Sequence, residues 1–211
     1  MKYHFFLLFI VFSVFGFSQK SKIDLKAIEQ SLKSSDAPYN YEKLIFKYKG
    51  YPKSLDSIEA QYLYYGRNFR TDKISTSDES FKSLVEAFKQ NNFADCIKQG
   101  RILYGKDPTN LDILLILLRA YDSLKDGNNF MHHLNQFRAL TDGIKISGDG
   151  KTEKTAYVVN SVGDEYILLN ILNIGQDYTR SSKTSQDAMY DVWEKEGSKV
   201  YIKILYLELT N

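Results

Sequence analysis

Between residues 109 and 125, in the run TNLDILLILLRAYDSLK, the polar side chains Asp112, Arg119 and Ser123 recur at helical spacing on one narrow stripe. Leu111, Ile113, Leu114, Leu115, Leu117, Leu118 and Tyr121 fill most of the remaining circumference. A helix so widely apolar needs neighbours on several sides, which predicts a central place in the core. Asp112 and Arg119 bracket a stretch shorter than the roughly 20 apolar residues that cross a bilayer. Upstream the same period appears in Ile23, Ala27, Ile28 and Leu32, then in Tyr41, Leu44, Ile45 and Tyr48 before Gly50. It returns in Leu55, Ile58, Tyr62, Leu63 and Tyr65 before Gly66. Two further helices are expected over residues 79–90 and 93–104, and another from Gly127 onward, carrying Phe130, Leu134, Phe137 and Ile144.

After Gly143, Gly148 and Gly150 the period changes from helical to strand-like. Residues 155–162 and 165–172 read as strands joined by Gly163-Asp164, with glycine where a type II′ turn requires it. Apolar residues on both faces of 165–172 predict a strand covered on both sides. Residues 173–187 read as a polar loop. Residues 189–195 and 199–209 read as a second hairpin around Glu196-Gly197, with Glu194 facing Lys199. Helices first and strands last predict an α+β fold in one domain, residues 19–211: a repeat-like helical layer (22–146) packed on a four-stranded antiparallel sheet (155–209).

The N-terminus changes the picture of where the protein acts. Lys2 precedes an apolar run to Phe17, and small residues Gly16 and Ser18 stand before the polar Gln19-Lys20-Ser21-Lys22. Residues 1–18 therefore read as a secretory signal peptide, and the mature chain is expected to be exported, periplasmic or extracellular, with no membrane span after cleavage. The single cysteine, Cys96, makes no internal disulfide and, beside Phe93 and Ile97, is expected to be buried. The whole chain has 211 residues, 43% hydrophobic and 26% charged, with a net charge of +2. That composition suits a folded domain, and basic residues interspersed with acids exclude a nucleic-acid-binding face.

Two resemblances follow from quoted residues. The segment YPKSLDSIEAQYLYYGRNF (51–69), the run SGDGKTEKTAYVVNSVGDEYILL (147–169) and the C-terminal VYIKILYLELT resemble motifs of an exported family, domain-of-unknown-function family 4919. That resemblance implies no reaction, ligand or partner. Residues 79–108, with Asn91-Asn92-Phe93 at the turn, Cys96 in the second helix and Asp107-Pro108 at the end, are similar to a tetratricopeptide repeat, and the next 34 residues partly repeat the pattern. Leu84 and Leu118 stand where that repeat has glycine.

Catalytic signatures are missing: there is no Gly-x-Ser-x-Gly, Ser-x-x-Lys or His-Glu-x-x-His. His132 and His133 are adjacent on a helix, about 100° apart, and read as solvated side chains. Gly148-Asp149-Gly150-Lys151-Thr152 looks like the end of a phosphate loop, but Lys145 occupies the first glycine position and the loop runs from helix into strand. Lys151 with this glycine-rich backbone remains an anion-binding candidate, and Asp142 with Asp149 a cation-binding one. Tyr64, Tyr65 and Arg67 form an aromatic-rich segment that reads either as helix packing or as a binding surface. No motif calls for a cofactor or a metal, and no residue is singled out as catalytic. The chain is thus expected to be a non-enzymatic envelope module that binds an envelope protein. The alternative is a hydrolase using Asp142, Asp149, Asp164 or Glu165 at the helix-sheet junction.

Overall fold

The computed structural model describes residues 23–175, 177–185 and 188–205; the expected signal peptide and the expected strand beyond Leu205 lie outside them. The helices are α1 (Leu25–Lys33), α2 (Tyr41–Gly50), α3 (Ser57–Gly66), α4 (Glu79–Lys89), α5 (Phe93–Lys106), α6 (Leu111–Ser123), α7 (Gly127–Lys145) and α8 (Val162–Ile171). The strands are β1 (Tyr157–Val159), β2 (Thr179–Thr184), β3 (Ala188–Lys195) and β4 (Ser198–Leu205). The protein is therefore α+β.

Asn110 opens the central helix α6: its Oδ1 accepts the backbone N–H groups of Asp112 and Ile113 at 3.0 and 3.2 Å, satisfying donors that a helix start leaves free. Leu111 and Leu114 join one apolar cluster, with α2, α3, α7, α8 and the sheet. Ile113, Ile116, Leu117, Ala120 and Tyr121 join a second, with α4 and α5, which includes the buried Cys96. Among the described residues α6 alone supplies buried side chains to both clusters, which is the central place its pattern predicts. Leu115 departs from that pattern: it is 39% exposed, because no neighbouring element closes over it. Gly100 lets α5 approach α6 closely, since a Cβ there would stand 2.8 Å from Leu117 Cδ2.

The sheet runs in the order β1-β4-β3-β2. The hairpin of β3 and β4 forms around Glu196-Gly197, both with positive φ, and pairs Glu194 with Lys199. β1 pairs with β4 in parallel, Tyr157 opposite Ile202, so the sheet is mixed and not purely antiparallel. A parallel partner needs a long crossover, and here α8, β2 and β3 lie between the two strands.

The expected strand at 165–172 is instead α8. Ser161 caps it by accepting the Asp164 N–H at 3.1 Å, and Asp164 and Glu165 lie in the first turn, where the helix dipole favours acids. The run that follows is apolar on nearly every side, so neither period stands out in it. Strand β2 falls inside the expected polar loop. Every residue of β2 is exposed, and its place comes from backbone pairing with β3. His133 is likewise buried, not solvated: it stacks on Tyr121 at 5.5 Å and its Nδ1 meets Gln136 Oε1 at 2.8 Å. Burial pulls its pKa below the usual histidine range.

Candidate functional site

The chain leaves α3 in a 3-10 turn, Arg67–Phe69, and crosses to α4 over the ends of α5 and α6. Arg67 anchors this crossing. Its Nε donates to both carboxylate oxygens of Asp107, at 3.0 and 2.9 Å, and its Nη2 donates to the Ile74 carbonyl at 2.8 Å. Asp107, 1% exposed, also accepts the Ile74 N–H at 2.9 Å. The charge-assisted pair ties the crossing segment to the α5–α6 corner.

Between this segment, the start of α6 and the start of α8 lies a polar cleft of about 320 Å³. Its walls carry Arg67, Asn68 and Lys73 from the crossing segment, Asp112 from α6, and Asn160, Ser161 and Asp164 from the β1–α8 corner. Asn68 Nδ2 donates to Asn160 Oδ1, and Asn160 Nδ2 to the Tyr64 carbonyl at 2.8 Å, which joins α3 to that corner. Lys73 Nζ donates to the Asn68 carbonyl at 2.8 Å.

Two carboxylates face this cleft in different states. Asp164 is 6% exposed, and its Oδ2 accepts the Tyr64 hydroxyl at 2.6 Å. Tyr64 in turn accepts the Asn160 N–H at 2.9 Å, and burial pushes its phenol well above the usual range, so it remains a protonated donor. Burial raises Asp164 to about 6; the Tyr64 hydrogen bond opposes this and the Asp112 charge adds to it. Asp112 is itself raised by burial, with Arg67 pulling the other way. Among the described residues its carboxylate accepts no hydrogen bond. It lies against the first turn of α8, where a Cβ on Gly163 would stand 3.1 Å from both of its oxygens. The cleft thus offers an acceptor without a donor beside a carboxyl group that burial raises to about 6.

The five residues singled out from sequence part company. Arg67 lines the cleft, and Tyr64 supports it from behind Asp164. Tyr65 is buried with its hydroxyl donating to the Val158 carbonyl at 2.9 Å. Asp149 and Lys151 lie in the turn before β1, where Asp149 Oδ1 accepts the Lys151 N–H at 3.1 Å; neither lines the cleft. Of the junction carboxylates, Asp142 is exposed and paired with Lys145 at 3.0 Å. Glu165 is wholly buried on another side of α8, one residue and so about 100° from Asp164. Among the described residues no three His, Cys, Asp or Glu side chains group as metal ligands. Also among them, no helix is long and apolar enough to cross a membrane. Asp112, on the polar stripe of α6, and Asn68 and Asn160 belong to no motif that marks them in the sequence. Ser161-x-x-Asp164 ahead of an apolar run was a signal for a helix start at this corner.

The family described as a domain of unknown function, DUF4919, matches residues 26–211, and the chain belongs to it. No curated protein and no solved structure matches the chain.

Proposed function

We propose that this DUF4919 member is an exported protein of the cell envelope, periplasmic or extracellular, that acts as a non-enzymatic binding module and takes its ligand in the polar cleft. Export rests on the pattern of residues 1–18. The observation that carries the binding reading is the Asp112 carboxylate, an acceptor placed in a cleft without a donor. A group bearing amine or hydroxyl donors, presented by an envelope protein, satisfies it, and Lys73, Asn68 and Ser161 lie at hand to orient that group. Helices α4 to α7 pack on one another in chain order, and we read them as two tetratricopeptide-like units that hold the start of α6 in place.

Capture from envelope extracts tests this reading. The wild-type chain should retain a partner that Asp112→Asn loses. Recovery of nothing above background, from a chain that is strictly monomeric, would sink it.

A second reading, a hydrolase, is favoured by one observation: Asp164, raised to about 6, stands beside Asp112, so one carboxyl can hold a proton while the other is ionised. Turnover of chromogenic glycosides or esters that disappears in both Asp164→Asn and Asp112→Asn would replace the binding reading with this one.

A further inference from the structure

Leu115 and Arg119 stand one turn apart on the side of α6 that its neighbours leave open. Beside them runs a groove of about 490 Å³, floored by Ile116, Phe137 and Ile167 and flanked by Phe88 and Ile171. Its volume falls within the roughly 300–1,000 Å³ in which small ligands are held. Among the described residues two polar side chains line it, Arg119 and Asn170, and the Asn170 amide already donates to the Tyr166 carbonyl at 2.8 Å. Among the described residues no acid lines the groove, and Arg119 has no ion pair or hydrogen bond.

An apolar trough with one uncompensated cation selects an apolar chain ending in a negative charge. A peptide strand fits poorly, because its backbone N–H and C=O groups would be desolvated against walls that offer almost no partners. We propose that this groove binds a fatty acid, its acyl chain along Ile116, Phe137 and Ile167 and its carboxylate paired with Arg119. The site is separate from the polar cleft, and its occupancy does not depend on the function proposed there.

Isothermal titration of the folded chain with dodecanoate, below its micellar concentration, tests the proposal. Dodecanoate should bind one to one, and dodecyltrimethylammonium, with the same tail and the opposite charge, should bind more weakly. Arg119→Met should weaken dodecanoate roughly two- to fivefold, the range supplied by an exposed ion pair. Leu115→Glu, which sets a like charge in the trough, should abolish binding. Both side chains are exposed, so both variants should keep the wild-type urea midpoint. The proposal is overturned if dodecanoate fails to bind, if Leu115→Glu binds it as the wild type does, or if only phosphatidylglycerol vesicles bind. It is overturned equally if the ligand-free chain dimerises through this face and Leu115→Glu makes it monomeric.

Discussion

Glu165 of α8 and Asp191 of β3 are both wholly buried and share one cation, Arg180 of β2. Arg180 donates to Asp191 Oδ2 and stands 3.6 Å from Glu165 Oε2, while Trp193 Nε1 donates to Glu165 Oε1 at 2.7 Å. Among the described residues one oxygen of each carboxyl, Glu165 Oε2 and Asp191 Oδ1, is left without a hydrogen bond. One guanidinium cannot neutralise two buried carboxylates. Burial accordingly lifts Glu165 to about 7, the Trp193 bond opposing this and the Asp191 charge adding to it.

This pair makes stability depend on pH. The folded state holds a proton on Glu165 that the unfolded chain releases near 4.5, so the folded state binds more protons between about 4.5 and 7. Stability should therefore be fully present below that window and fall as pH rises through it. Glu165→Gln keeps an acceptor for Trp193 and never ionises. Urea midpoints from pH 4 to 8 should show a shallower decline for the variant, with its advantage over the wild type greatest at pH 8.

Tyr64→Phe removes the donor to Asp164 and the acceptor of the Asn160 N–H together. Leaving buried polar groups unpaired costs about 1–3 kcal/mol for each, so a loss of that order is expected in chemical denaturation. The Asp164 pKa should rise further above about 6, read from its carboxyl carbon in an NMR titration, because the bond to Tyr64 favours the ionised form.

Two glycines of α5 should respond with opposite sign. A Cβ at Gly100 would stand 2.8 Å from Leu117 Cδ2, whereas one at Gly105 meets nothing within 4 Å. Gly100→Ala should destabilise by about 1–3 kcal/mol through overpacking. Gly105→Ala, which adds no contact and restricts the unfolded chain, should stabilise by about 0.4–1 kcal/mol. Thermal melts of the two variants check the contrast.

Leu117 and Leu115, two positions apart on α6, should differ as sharply. Leu117 is 0% exposed and Leu115 39%. Leu117→Ala should cost about 2–5 kcal/mol, the range for a buried leucine. Leu115→Ala and Ser123→Ala should each stay within about 0.5 kcal/mol, as exposed substitutions do. Indistinguishable urea midpoints for the three would contradict the central position of α6.

The sequence by itself determined the elements whose period is strong. α6 carries a wide apolar face with one polar stripe, and the β3–β4 hairpin carries a Glu-Gly turn, so both could be placed, along with the order of helices before strands. α8 could not, because a run that is apolar on nearly all sides has no period to distinguish helix from strand. β2 could not either: it carries no apolar face, and its place depends on backbone groups of β3 and on the reach of Arg180 to Asp191 and Glu165, none of which a local pattern encodes. The cleft was the least legible part. Tyr64 meets Asp164 across 100 residues of chain and Asn68 meets Asn160 across 92. Asp112 reads as a solvent-facing residue until α8 docks its first turn against it. Periodicity records which side of an element is apolar. Which polar groups then meet, and which one is left without a donor, is decided only when the elements pack.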